Sequence, residues 1–166
     1  IEEIVLMGGA IREGNWTPVA EFNILVDPHA ARVVFESGVP LTMIGLDVTH
    51  QAQVGDAEIS ALRALGRPVA DLVAGLIEFF RGTYKRVFGF DGAPLHDAVA
   101  VAQVIRPGIV KTRFLNVVVE TRSEFCNGQT VVDLYGVTGR PPNCHVGLEL
   151  DREAFVAMLL EAIARY

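Results

Sequence analysis

The residues Gly-Ala-Pro-Leu-His-Asp at positions 92–97 mark the point where a turn leads into an apolar run at positions 98–105. This pattern predicts a helix over residues 97–105 that is capped by Asp97. Because a helix N-terminus favours negative charge, the Asp97 carboxylate should stay ionised and available to a cation. The imidazole of His96 titrates near neutral pH and could pass a proton to a leaving group. Taken alone, the pair also fits a helix cap beside a surface histidine.

A second polar segment, Gly-Asn-Trp-Thr-Pro-Val-Ala-Glu-Phe-Asn, occupies residues 14–23. We expect an extended loop over residues 15–23, in which the side chains of Glu21 and Asn23 point the same way because they lie two positions apart. A carboxylate and an amide on one side can accept from and donate to neighbouring sugar hydroxyls. The other interpretation is a polar loop that is shaped by Asx turns.

Three motifs occur in an order and at separations that resemble the inosine–uridine-preferring nucleoside hydrolases. They are Met-Gly-Gly at residues 7–9, the segment at residues 14–23 and Pro-Leu-His-Asp at residues 94–97. The resemblance continues to Thr-Gly-Arg-Pro-Pro-Asn at residues 138–143. It implies cleavage of the N-glycosidic bond of ribonucleosides, which yields ribose and the free base.

The resemblance implies a ribose-binding role for four of these side chains. The residues that match Asn15 and Glu21 hold the 5′-hydroxyl in the family, and the residue that matches Asn23 holds the 3′-hydroxyl. The residue that matches Met7 packs against the ribose.

The resemblance also implies how the base and the metal are handled. His96 matches the histidine that protonates the leaving base, and Asp97 matches the C-terminal calcium ligand. Tyr84 and Phe88 lie one helical turn apart and could face the base. Packing in the core or at its rim is the alternative for both aromatic residues.

One feature of the family has no counterpart in these residues. Family members are about twice as long and begin with a strand that ends in an aspartate cluster, whereas this chain begins near an apolar run at residues 4–7 that reads as a buried strand within a fold. We therefore expect residues 1–166 to be the C-terminal part of a single nucleoside hydrolase-like domain. One carboxylate holds calcium poorly, so the chain by itself should bind little calcium and show little activity.

Composition narrows the classes of partner. The net charge of −6 argues against binding to nucleic acid. Two cysteines at positions 126 and 144 suit neither a zinc ribbon nor a redox motif, so we expect a reduced, cytoplasmic setting. No apolar run reaches the length of a membrane span. The hydrophobic content of 51% suggests apolar faces that expect a partner, either a complementing N-terminal half or a second copy in a homo-oligomer.

Hydrophobic periodicity and turn residues predict the elements. Strands are expected at residues 4–7, 41–46, 114–120, 129–133 and 143–147. Helices are expected at residues 26–37, 56–65, 68–87 with a break near Gly82, 97–105 and 151–166. Asp27 and Pro28 are read as the cap and the first-turn proline of the first helix, and the last helix is also expected to be capped. Alternating strands and helices followed by a late β-meander indicate an α/β fold. We expect an open mixed, mainly parallel sheet flanked by helices, and an incomplete one.

Three functions remain open from the sequence. The chain is the C-terminal portion of a calcium-dependent nucleoside hydrolase, a non-catalytic remnant that binds ribose or nucleoside, or a sugar-binding module unrelated to hydrolysis.

Overall fold

The computed structural model describes every residue from Ile1 to Tyr166. Its strands are β1 (Ile4–Met7), β2 (Leu41–Ile44), β3 (Gln53–Val54), β4 (Ala93–Pro94), β5 (Val110–Val119), β6 (Thr130–Asp133) and β7 (Cys144–Leu150). Its helices are α1 (Phe22–Val26), α2 (Pro28–Phe35), α3 (Leu46–Thr49), α4 (Asp56–Ala64), α5 (Pro68–Phe88), α6 (His96–Ile105) and α7 (Arg152–Ala164).

The main sheet has five strands in the order β1-β2-β7-β5-β6. Strands β1, β2 and β7 are parallel, whereas β5 is antiparallel to both β7 and β6. All strands except β5 therefore point the same way. The predicted mixed, mainly parallel sheet with flanking helices is confirmed.

The core lies on both faces of this sheet. Successive side chains of β2 point to opposite faces, so Met43 and Ile44 belong to different clusters. Ile44 packs in the cluster that contains Val99 of α6 and Phe155 of α7. Met43 packs in the cluster that contains Phe35 of α2. A strand that is covered on both faces reads as a continuous apolar run, and this explains why β2 was predictable.

The predicted helix over residues 26–37 corresponds to α2, which is shorter than expected at both ends, and the predicted cap at Asp27 and first-turn proline at Pro28 are confirmed. The backbone of Asp27 leaves the helical region, and its carboxylate accepts a hydrogen bond from Ala30 N at 2.9 Å while Pro28 opens α2. The predicted break of the long helix near Gly82 is wrong. Helix α5 runs unbroken to Phe88 and ends at Gly89, which adopts a left-handed conformation with φ of 72°.

Several strands begin or end at other residues than predicted, because a neighbouring helix or a paired strand sets their ends. Strand β2 ends at Ile44 because Gly45 already forms the N-cap of α3. Strands β5 and β7 are longer than expected because they pair from Val110 opposite Leu150 to Leu115 opposite Cys144. The two-residue pairing of β3 with β4 is too short to leave a periodic signal.

Helix α1 begins inside the segment that was expected to be an extended loop. Glu21 is its N-cap and is only 2% exposed. The Glu21 carboxylate accepts hydrogen bonds from Gly9 N at 3.0 Å, Asn23 N at 2.9 Å and Ile24 N at 3.3 Å. The expected extended loop over residues 15–23, with the side chains of Glu21 and Asn23 pointing the same way, is therefore wrong at its end, because Asn23 lies in the first turn of a helix.

Strand β1 pairs on one side only, with β2, and forms an edge of the sheet. All four of its residues are apolar. Such an edge offers unpaired backbone groups to another strand.

The helices of the structure are too short or too polar to cross a membrane.

We predict that Glu21→Gln lowers the free energy of unfolding by about 2 kcal/mol, because the amide replaces a charged acceptor with a weaker one and points an N–H group at backbone donors. Urea unfolding measures the change. The matched variant Glu13→Gln alters an exposed carboxylate and should leave the midpoint unchanged. Equal midpoints for both variants would contradict the structural role of Glu21.

Candidate active site

A cavity of about 480 Å³ lies beside the carboxyl end of β1. Its walls come from the end of β1, the loop that precedes α1 and the first turn of α1, the C-terminal half of α5 and the start of α6. The lining residues are Met7, Asn15, Trp16, Glu21, Phe22, Asn23, Phe80, Tyr84, Phe88, His96 and Asp97. All eight residues that the sequence singled out are in this set.

The packing of one helix on one strand explains why such distant residues meet. Met7 is the last residue of β1, and α6, which begins at His96, packs against β1. The strand that precedes α6, β4, lies outside the main sheet. The contact between α6 and β1 therefore brings the start of α6 to the loop after β1.

One wall of the cavity is polar. The Asn23 amide Nδ2 donates to the Met7 carbonyl at 3.3 Å and lies 3.4 Å from the Met7 sulfur. The Glu21 atom Oε1 accepts only from Asn23 N, whereas Oε2 also accepts from Gly9 N and Ile24 N. Oε1 thus keeps capacity for a hydroxyl donor from a ligand.

Asn15 is held by a compact loop. The backbone N–H groups of Asn15, Trp16 and Thr17 all donate to the Ala20 carbonyl. A Cβ atom at Gly14 would overlap the Thr17 carbonyl, so only glycine fits there. The Asn15 Oδ1 atom accepts from Phe22 N at 2.9 Å, which fixes the amide with Nδ2 as its free donor.

The opposite wall is aromatic. Phe80, Tyr84 and Phe88 follow one another at intervals of four residues along α5 and share one face. The rings of Tyr84 and Phe88 lie 5.0 Å apart, and those of Phe80 and Tyr84 lie 4.7 Å apart. Burial raises the pKa of Tyr84, and the hydrogen-bonding amide of Asn15 opposes this. Tyr84 is buried and also lines the cavity, so the two sequence interpretations of this residue are compatible.

His96 lies between two hydroxyl groups. Its Nδ1 atom is 2.8 Å from Thr49 Oγ1, and its Nε2 atom is 2.6 Å from the Tyr84 hydroxyl oxygen. Burial, together with the nearby His50, lowers the pKa of His96 to about 4. The expectation that His96 titrates near neutral pH is therefore wrong, because loss of water penalises its charged form.

Asp97 is the second residue of α6 rather than its cap. The N-cap is Leu95, which makes no side-chain hydrogen bond, so the predicted capping role of Asp97 is wrong. The Asp97 side chain is exposed, faces the cavity and forms no hydrogen bond or ion pair.

No cluster of metal-ligating side chains surrounds Asp97. No group of three His, Cys, Asp or Glu residues is arranged to hold a metal ion. Calcium takes six to eight oxygen ligands, and Asp97 supplies a single carboxylate.

Comparison with known proteins identifies the family of this chain. A family model described as inosine-uridine preferring nucleoside hydrolase matches residues 1–157. The chain belongs to this family. The resemblance that the sequence motifs indicated is thus confirmed.

Two curated relatives match the whole of this chain over about half of their own length. The chain is 52% identical over 168 residues to the pyrimidine-specific ribonucleoside hydrolase RihA of Shewanella sp. (strain ANA-3), covering 100% of this chain and 52% of that protein. It is 50% identical over 167 residues to the enzyme of the same name from Klebsiella pneumoniae (strain 342), covering 100% of this chain and 54% of the relative. The chain thus spans about half the length of the curated relatives it matches.

Solved structures of the family share the fold. A purine-preferring ribonucleoside hydrolase from Gardnerella vaginalis superposes with a TM-score of 0.87 at 33% identity, covering 98% of this chain and 52% of that one. A plant nucleoside hydrolase superposes with the same TM-score at 25% identity, covering 99% of this chain and 54% of that one.

Four residues of the site were missed from the sequence. Trp16 and Phe22 lie within the quoted motif, and Phe80 precedes Tyr84 by one helical turn, so motif position and helical spacing could have found them. Thr49 contacts His96 from 47 residues away, and no sequence pattern marks it.

We predict that the free energy of unfolding decreases as the pH falls from 6.5 to about 4. Unfolded His96 takes up a proton at its ordinary pKa of 6.5, whereas folded His96 stays neutral until the pH approaches 4. The stabilisation from the neutral side chain is complete above pH 6.5 and amounts to about 3 kcal/mol at most.

Urea unfolding without calcium at several pH values measures this slope. His29→Gln changes an exposed histidine and should keep the wild-type slope, whereas His96→Gln should reduce it. A His96→Gln variant with an unchanged slope would show that His96 is not the group responsible.

Proposed function

We propose that this chain forms the sugar-binding and leaving-group side of a ribonucleoside hydrolase active site. The reaction adds water across the N-glycosidic bond and releases ribose and the base. The observation that carries the proposal is the convergence of all eight candidate residues, from positions 7 to 97, on one cavity in a chain of this family.

The polar wall suits a ribose ring. Asn15 and Glu21 bind the 5′-hydroxyl and Asn23 binds the 3′-hydroxyl, while the Met7 side chain packs against the sugar. The free Nδ2 of Asn15 and the available Oε1 of Glu21 support this assignment, since a hydroxyl can accept from the first and donate to the second.

The aromatic wall suits a planar base. Rings at 5.0 Å spacing offer apolar faces to a heterocycle, and the hydroxyl of Tyr84 lies between His96 and the cavity. As the glycosidic bond breaks, its electron pair moves onto the base nitrogen, which takes up a proton. A neutral His96 bonded to Tyr84 favours delivery of this proton through the Tyr84–His96 pair, and a proton of the attacking water restores the pair.

The proposed substrates are pyrimidine ribonucleosides such as uridine and cytidine. The relatives at about 50% identity are named pyrimidine-specific, whereas the purine-preferring structure is 33% identical. The higher identity favours the pyrimidine assignment.

Catalysis requires groups that this cavity does not contain. We propose that Asp97 is one ligand of a catalytic calcium ion and that an aspartate-rich complementing segment supplies the others. The open apolar edge of β1 is the proposed docking strand for that segment. The isolated chain should then have little nucleosidase activity.

A nucleoside-binding module without catalysis is the second candidate. The single carboxylate at the metal position favours it, because binding of a ribose needs no metal shell. Activity after complementation distinguishes the two.

We predict that uridine binding changes the fluorescence of Trp16. Trp16 is the only tryptophan of the chain, is 68% exposed and lies at the cavity with its ring 5.1 Å from that of Phe22. Titration with uridine or ribose should give a saturable change in emission. Asn23→Ala should weaken binding about tenfold, the effect of losing one hydrogen bond. Asn127→Ala, on an exposed turn, is the control that should bind like wild type. Emission that does not respond to either ligand would contradict the sugar site.

We predict that co-expression with the N-terminal half of the Klebsiella RihA relative yields calcium-dependent uridine hydrolysis, measured as reducing sugar. In this complex Asp97→Asn should abolish activity, whereas Asp71→Asn on the outer face of α5 should not. His96→Ala should slow cleavage of uridine by roughly 10²–10⁴-fold. It should slow cleavage of p-nitrophenyl riboside much less, because that leaving group departs without a proton. Equal losses on both substrates would remove His96 from proton delivery, and full activity of the isolated chain would contradict the need for a second segment.

A further inference from the structure

The hydroxyl of Thr49 has one hydrogen-bond partner. Thr49 is the last residue of α3 and is fully buried, with 0% exposure. Its Oγ1 atom lies 2.8 Å from His96 Nδ1 and forms no other hydrogen bond. Helices α3 and α6 pack against each other, so this contact is fixed by the core rather than by a mobile loop.

Because the Thr49 hydroxyl has a single partner, the direction of its hydrogen bond with His96 is fixed. A buried O–H group without an acceptor costs about 1–3 kcal/mol. His96 Nδ1 is the only acceptor within reach, so Thr49 donates and Nδ1 carries no proton. An imidazole with an unprotonated Nδ1 has its proton on Nε2.

The tautomer of His96 also sets the direction of its hydrogen bond with Tyr84. His96 Nε2–H donates to the Tyr84 oxygen across 2.6 Å. Because the phenol oxygen accepts from His96, its own proton cannot point at the imidazole and is left to face the cavity that Tyr84 lines.

We propose that Thr49 is a positioning residue that selects the Nε2–H tautomer of His96 and so turns the Tyr84 hydroxyl proton toward the leaving base. The role of Thr49 in catalysis rests on the proposed hydrolase function. The tautomer of His96 does not depend on hydrolysis and can be tested without it.

The tautomer can be measured directly on this chain. Long-range ¹H–¹⁵N correlation of histidine-labelled protein near pH 7, without calcium or substrate, distinguishes protonated from unprotonated ring nitrogens. The expected result for His96 is a protonated Nε2 and an unprotonated, hydrogen-bonded Nδ1. A protonated Nδ1 would overturn the proposal, because Tyr84 would then donate to His96 instead.

Variants at position 49 test whether the Thr49 hydroxyl sets the tautomer of His96. Thr49→Val should shift the Nδ1 resonance toward that of an unbonded nitrogen, and Thr49→Ser, which keeps the hydroxyl, should restore the wild-type value. Thr42→Val on β2 removes a hydroxyl that makes no hydrogen bond and controls for the loss of polarity. An Nδ1 resonance that is the same in Thr49→Val and wild type would also overturn the proposal. If Thr49→Val fails to fold, Tyr84→Phe provides the test, since a tautomer set by Thr49 survives the loss of Tyr84.

Activity gives an independent measure in the complemented enzyme. Thr49→Val should lower kcat for uridine about tenfold with KM little changed, and Thr49→Ser should recover most of the loss. Reduced kcat and raised KM together, without rescue by serine, would indicate a general packing defect. A complemented enzyme that hydrolyses no nucleoside would refute the proposed function while the measured tautomer still stands.

Discussion

The buried carboxylate of Glu21 is the interaction on which the geometry of the site depends. It binds backbone N–H groups at the exit of β1 and at the start of α1, and no cation neutralises it. A buried charge without such donors would be very costly, so the strand exit and the helix start are held in one arrangement. The positive end of the α1 backbone adds to this stabilisation. Asn23 and Met7 take their places in the cavity because Glu21 joins their two segments.

The cavity combines two environments that are built by different means. Its polar wall is formed by a compact loop and a helix start, where backbone groups orient amide and carboxylate side chains. Its aromatic wall is formed by one face of α5, where helical spacing aligns three rings. His96 lies where the two environments meet, and its burial keeps the imidazole neutral. The neighbouring Asp97 is exposed to solvent. Adjacent residues of α6 thus have opposite surroundings, one largely removed from water and one in contact with it.

Local patterns predicted most of the fold and most of the site. The apolar runs of β1 and β2 and the caps of α2 and α7 were visible because neighbouring residues produce them. Boundaries failed where a distant partner decides them. Strand β5 extends to Val110 because β7 pairs with it there, and α1 starts at Phe22 because the Glu21 side chain caps it. Gly82 did not break α5, since an exposed glycine in a long helix costs only about 1 kcal/mol.

The sequence by itself determined which family the chain resembles and which residues to examine as a candidate site, because the identity and order of motifs are properties of the chain alone. Only the tertiary structure decided that His96 is neutral and that Thr49 and Tyr84 bind opposite sides of its ring. Solvation and hydrogen-bond direction depend on what surrounds a side chain in space. Thr49 lies 47 residues from His96 in the chain, and only the packing of α3 against α6 brings their side chains together.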